Sequence, residues 1–368
     1  MLMLLFIVSL GAGCRERAET EGTKTSSSQT GRPVSLVMPQ KGVYTGAYVD
    51  FGEGESRVTY DALTAFERLT GKPLAVVACG NFWGDQAFPE KTVRIITGYG
   101  AVPFLFWSPW DKPYEESRGP DRFGLREILA GKWDTYIDTW ADAARQYGKP
   151  LLIAWGLEMN GTWFPWSGSF YGGGKVAGRT KDGQALYEGP ELYKRAYRYV
   201  VDRVRARKAT NILWGFHANN FSSPRVPWNQ MSNYYPGADY VDWLGLSVYG
   251  KMTRSEGWAE FGDMMAVPYA EICALDAAKP VFVAEWGVGE YPPGDKAKFI
   301  ATALRDLPGT YQRVRLAVYW HERWENKDNT FSNLRVNSSP EALEAYRTGI
   351  ASPLWIGRPQ FTQQAPRP

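Results

Sequence analysis

The sequence has little material for metal or redox chemistry, with three cysteines and two histidines among 368 residues. Cys14, Cys79, Cys273, His217 and His321 are scattered without CxxC or HxxxH spacing, so no zinc or iron–sulfur site is expected, and no other cofactor is implied. Neither sign of charge is in excess: 42 Lys and Arg stand against 39 Asp and Glu for a net +3, which removes bulk attraction to nucleic acid as a binding mode. What is abundant is aromatic surface. The chain carries 16 Trp, 21 Tyr and 17 Phe, and rings of that number serve partly as core and partly as platforms for flat ligands.

At the start, Met1–Leu10 is apolar but too short to span a bilayer, and it runs into Gly11, Ala12, Gly13 and Cys14. Residues 1–13 read as a signal peptide, and the run from Leu10 to Cys14 resembles a bacterial lipobox, which makes Cys14 the expected lipidation site. The absence of Lys or Arg before Leu10 departs from that pattern and leaves open an ordinary secretory signal or a buried first strand. Residues 14–32, rich in Glu, Thr, Ser, Gln and Gly, read as a flexible tether. The expectation is an exported monomer, lipid-anchored in the bacterial cell envelope and touching the membrane only through the anchor. Cys79 and Cys273 are expected to be free and buried, although export leaves a bond between them open. Residues 358–368 read as a frayed tail.

Between residues 33 and 357 short apolar runs alternate with helix-like segments, the pattern of a parallel α/β protein. The runs are Thr45–Phe51, Leu74–Cys79, Ala101–Trp107, Leu151–Trp155, Asn211–Phe216, Val241–Val248, Pro280–Ala284 and Arg315–Tyr319. Asp134–Tyr147 and Pro190–Arg207 space apolar residues at three and four, as helices covering a sheet must. Eight strand–helix units predict a single (β/α)8 TIM barrel, with a doubly wound open sheet as the alternative.

A barrel gathers its functional side chains just past the C-terminal ends of the strands. Two carboxylates occupy such positions: Glu158 follows the fourth apolar run and Glu285 the seventh. They would face each other across the mouth, at the close spacing that lets one act as acid/base and the other as nucleophile at a sugar carbon. Tyr249 ends the sixth run beside them. Trp107, Trp163, Trp166, Trp286, Trp320, His217 and Asn220 also follow strands and are the candidate substrate-binding residues, although core packing competes with stacking for each tryptophan. The Gly-rich stretch 167–189 reads as a flexible wall of the cleft.

The run Glu158-Met-Asn-Gly-Thr-Trp-Phe-Pro-Trp166 resembles the acid/base motif of glycoside hydrolase family 26, the β-mannanase family. Tyr235-Pro-Gly-Ala-Asp-Tyr-Val-Asp-Trp243, continuing to Tyr249, is similar to that family's sixth-strand segment, and Pro280-Val-Phe-Val-Ala-Glu-Trp-Gly287 resembles its nucleophile strand. The resemblance implies that Glu158 is the acid/base, Glu285 the nucleophile and Tyr249 a hydrogen-bond donor to it, with Trp163 and Trp320 lining sugar subsites. It implies a polysaccharide substrate, with β-1,4-mannan first. Three departures bear on the substrate: Leu157 stands where the family has His, Ala154 where it has Arg, and Ser108 follows Trp107 where it has His. His217 is a candidate to fill the vacated space. Another β-glycan (β-1,3-xylan, mixed-linkage glucan or an exopolysaccharide), or a glycan-binding lipoprotein without turnover, are the alternatives.

Overall fold

The computed structural model describes residues 34–52, 57–111, 119–292, 294–326 and 328–363. The expected signal peptide, Cys14 and the tether lie outside the described residues.

Eight parallel strands form the centre: β1 (Val43–Val49), β2 (Val76–Phe82), β3 (Val102–Ser108), β4 (Leu151–Trp155), β5 (Ile212–Asn219), β6 (Trp243–Tyr249), β7 (Val281–Gly287) and β8 (Val314–His321). They pair in chain order, and β8 returns to pair with β1 from Leu316 opposite Tyr44 to His321 opposite Val49, which closes the barrel. Nearly every strand residue is buried, as expected of strands covered on both faces. The interior is filled by side chains: Trp243 stacks on Phe282 at 4.6 Å and meets Phe104 edge-on at 5.2 Å. Gly215 makes room for that indole, since a Cβ there would come within 1.9 Å of it.

The outer layer consists of α1 (Tyr60–Thr70), α2 (Glu90–Tyr99), α3 (Asp134–Tyr147), α4 (Glu188–Ala206), α5 (Phe261–Leu275), α6 (Lys296–Gly309) and α7 (Pro340–Ile350). Their ends follow local chemistry. Thr59, Asp295 and Ser339 accept hydrogen bonds from the first turns of α1, α6 and α7, and Gly71, Gly100 and Gly148 close α1, α2 and α3 in left-handed conformations. The connection from β5 to β6 departs from the expected pattern. It contains three short helical turns, Pro227–Asn229, Met231–Tyr234 and Ala238–Tyr240, in place of a covering helix.

The expected frayed tail is instead pinned as far as Gln363. Phe361–Gln363 pairs antiparallel with Val34–Leu36, and the Tyr44 hydroxyl donates to Val37 O while accepting from Gln360 N–H. Arg358 donates to Tyr99 O. Cys79 and Cys273 are not joined in a disulfide, and the first is buried as expected while the second is only half-buried.

Candidate active site

The fourth strand ends at Trp155 and the chain turns sharply, with Gly156 at φ 57° and Glu158 at φ 52°. A non-glycine residue in the left-handed region is held there by its surroundings. Here Glu158 N–H donates to His217 O on β5 at 2.7 Å, and the Trp166 indole donates to Leu157 O at 2.6 Å. Asn160, fully buried, clamps the turn to β5 by giving Nδ2–H to Asn219 O and receiving Asn219 N–H. Gly161 lets the following chain double back: a Cβ there would meet the Trp163 indole at 2.5 Å. Trp163 thereby brings its Nε1–H to Glu158 Oε2 at 2.6 Å.

Glu285 reaches the mouth by a different device. Between Val283 and Glu285 the seventh strand gains one residue relative to β6, so that Val283 opposes Leu246 and Glu285 opposes Ser247. The same extra residue shows against β8, where Val283 opposes Ala317 and Trp286 opposes Tyr319. A bulge of this kind re-aims a side chain, and this one turns Glu285 toward Glu158.

Carboxylate oxygens of Glu158 and Glu285 and a ring nitrogen of His217 all lie within 4.8 Å of one another. Carboxyl pairs about 5–5.5 Å apart go with retention at a sugar carbon and pairs about 6.5–9.5 Å apart with inversion. Tyr249 donates its hydroxyl to Glu285 Oε2 at 2.7 Å, and burial followed by the charge of Glu285 keeps that phenol protonated. Burial raises the Glu158 carboxyl above its ordinary 4.5, while the Ser247 hydroxyl and the Trp163 indole oppose the rise.

His217 lies on β5 with its ring near Ser247 of β6 and the two carboxylates. It is buried, its Nε2 lies 2.8 Å from Ser247 Oγ, and burial pushes its pKa down to about 3, so the ring is neutral. Ser247 is therefore the link between His217 and the Glu158 carboxyl, and sequence reading missed it. Glu158, His217 and Glu285 are also the only grouping among the described residues whose donors could surround a metal ion.

The tryptophans divide. Trp163 is half-buried and lines the cavity beside the two carboxylates, as does Asn220. Trp107, Trp166 and Trp286 are corrections to the sequence expectation, because no more than 1% of any of them is exposed and none offers a face to a sugar. Phe106 faces the barrel interior near His217, so its neighbour Trp107 points outward and stacks on Trp140 at 4.0 Å. By the same alternation Trp286, next to Glu285, packs edge-on against Tyr319 at 4.7 Å. Trp166 stacks on Phe164. Trp320 lies at the end of β8, stacked on Tyr48 at 4.1 Å, with its Nε1–H on Glu322 Oε2 and only 7% of its surface exposed. His321 turns outward to Phe66 and accepts Val336 N–H.

The cavity holding Glu158, Glu285 and Tyr249 encloses about 580 Å³ and extends between the loops after β5 and β6. Phe221, Met252 and Met264 form apolar parts of its wall and Arg225 and Lys251 supply charge. None of residues 167–189 lines it; that stretch carries the hairpin Val176–Arg179 with Ala185–Tyr187, and its Gly173 and Gly174 pack against Trp228.

The profile of the family described as glycosyl hydrolase family 26 matches residues 127–285, a segment that contains Glu158 and Tyr249 and ends on Glu285. Over this segment, somewhat under half of the chain, the sequence is similar to glycosyl hydrolase family 26. Endoglucanase H of Acetivibrio thermocellus is 29% identical over 322 residues, covering 86% of this chain and 31% of that protein. A mannan endo-1,4-beta-mannosidase of Bacillus subtilis is 32% identical over 155 residues, covering 42% of this chain and 35% of the relative. The chain thus spans about a third of the length of these curated relatives. Among solved structures, a beta-mannanase from a symbiotic protist of the termite Reticulitermes speratus, complexed with gluco-manno-oligosaccharide, shares the fold. Its TM-score is 0.57 at 19% identity, with 86% of this chain and 89% of that chain covered.

Proposed function

We propose that this chain is a family 26 glycoside hydrolase, a retaining endo-β-glycanase acting on a mannan-type β-1,4 backbone. The observation that carries the reading is the approach of Glu158 and Glu285 to within 4.8 Å, with Tyr249 bonded to one and Trp163 to the other. In the first step Glu285 attacks the anomeric carbon while Glu158, protonated because it is buried, gives its proton to the leaving oxygen. In the second, Glu158 takes a proton from water, which attacks the same carbon and releases Glu285. Tyr249 steadies the Glu285 carboxylate before attack. No step calls for a metal, and turnover is expected to be unchanged by a chelator.

A second substrate, a β-glucan, is favoured by the likeness to Endoglucanase H over 86% of the chain. The apolar Leu157 and Ala154, with the small Ser108, support a departure from mannan by removing polar contacts near the acid carboxyl. The deciding experiment is product release from soluble mannan, β-glucan and xylan, with the anomeric form of fresh products followed by NMR and Glu285→Ala run alongside. Retained configuration, lost in the variant, is the expected result; inversion would end the reading, and the polymer cleaved names the backbone. Export with a lipid on Cys14 belongs to the same proposal, and metabolic labelling with palmitate that fails to mark the full chain would remove it.

A further inference from the structure

The cavity beside the catalytic carboxylates contains two cations that the reaction above does not use. Arg225, on the loop after β5, and Lys251, on the loop after β6, both line it. Neither makes an ion pair among the described residues; each is held by a ring instead, Arg225 over Phe221 at 5.3 Å and Lys251 over Tyr291 at 5.4 Å. Elsewhere on the surface arginines meet acids, as Arg203 meets Asp134 and Asp138. The acid in the same wall outside the carboxylate pair, Glu256, is engaged with the N–H groups of Met252 and Thr253. Nor do the two cations serve the catalytic acid, since neither is among the groups that move the Glu158 pKa.

The rest of the wall suits a sugar ring. Phe221 is 41% exposed and meets the Trp163 ring at 6.3 Å, and Asn220 Oδ1 is buried without a hydrogen-bond partner. A neutral hexose would satisfy the rings and the amide and leave both charges unanswered.

We infer that the subsite beside the cleavage point takes a sugar unit bearing an anionic group, a carboxylate or a sulfate, whose ring lies against Phe221 and Trp163 and whose charge meets Arg225 and Lys251. This rests on the glycanase reading and adds that the backbone is an acidic or acid-decorated β-glycan. A planar guanidinium can grip either oxyanion with two parallel hydrogen bonds, so the two sources share one chemistry.

The test compares kcat/KM on a glucuronate-bearing β-glycan, a sulfated β-glycan and the neutral backbone, for the wild type, the Arg225→Ala/Lys251→Ala double variant and the charge-keeping Arg225→Lys/Lys251→Arg exchange. Binding of the same polymers to Glu285→Ala protein, with and without the double change, is measured by calorimetry at low and high salt. The expected result is a wild-type preference for one anionic polymer that falls about tenfold in the double variant, largely returns in the exchange, and weakens with salt. Whichever anionic polymer shows it identifies the group. Equal handling of neutral and anionic polymers by the wild type, or an undiminished preference in the double variant, overturns the inference while leaving the glycanase reading intact. If no polymer is cleaved, that reading fails instead, and salt-sensitive binding lost with the two cations still upholds the anionic subsite; its absence overturns both.

Discussion

At Glu158 three influences act on one proton: burial raises its affinity, and the Ser247 hydroxyl and the Trp163 indole lower it. Removing either donor therefore moves the carboxyl further up. Trp163→Phe and Ser247→Ala are each expected to shift the basic limb of the kcat/KM profile to higher pH, and a profile that stays in place would detach these residues from the acid. Tyr249→Phe, which strips the donor from Glu285, is expected to lower kcat by about ten- to a hundredfold with little change in thermal stability, measured by steady-state kinetics beside a melting curve. Glu158, Glu285 and Tyr249 were legible because a charge or a hydroxyl ending an apolar run is conspicuous. Ser247 was not, since a lone serine inside Leu244-Gly-Leu-Ser-Val248 has no pattern to announce that it faces a histidine. Trp107 and Trp286 misled for the opposite reason: an aromatic ring at a strand end carries no mark of which face it takes until a neighbour is assigned to the interior.

Two elements aim Glu158 and Glu285 at one another, a left-handed turn after β4 and a bulge in β7. The turn depends on Gly161, whose missing Cβ gives the Trp163 indole its path. Gly161→Ala is expected to displace Trp163 and cost roughly a hundredfold in kcat while the barrel stays folded, which near-UV circular dichroism and kinetics together would check. Deleting Ala284 would remove the extra residue of β7 and turn Glu285 out of the mouth; turnover surviving that deletion would refute the role given to the bulge. Run lengths in the sequence located β4 and α3 with the bounds observed, Leu151–Trp155 and Asp134–Tyr147. They stopped short at the tops of β5, β7 and β8, where His217, Glu285 and His321 interrupt the apolar pattern although the backbone continues its ladder. The polar residues near the strand ends are the ones that hide where each ladder stops.

Across the whole molecule, the two histidines are buried neutral, each with its pKa pushed down to about 3 by burial. An unfolded chain protonates them near 6.5, so the unfolded state binds more protons as pH drops below that value and stability falls between about pH 6.5 and 3. Melting temperatures across that window are expected to decline, and His321→Gln to flatten the slope; a flat wild-type curve would contradict the buried neutral state. Alternation of strands and helices made the barrel legible, because each apolar run needs a partner on both sides. The closing ribbon was illegible, since Val34–Leu36 and Phe361–Gln363 are three residues each with no periodicity to read. Truncation after Gly357 is expected to cost about 2 kcal/mol, read by denaturant unfolding, through loss of that ribbon and of the Arg358 contact.

The ribbon sets Val34 opposite Gln363, so the two described ends of the barrel are neighbours. A short linker could join them, and the circle so formed could be cut anew at the exposed Thr180–Gln184 turn, outside the strands and turns that aim Glu158 and Glu285. A circular permutant opened there would carry its ends on a different face with the two carboxylates undisturbed, because the order in which β1 to β8 are synthesised is no part of what brings Glu158 and Glu285 together.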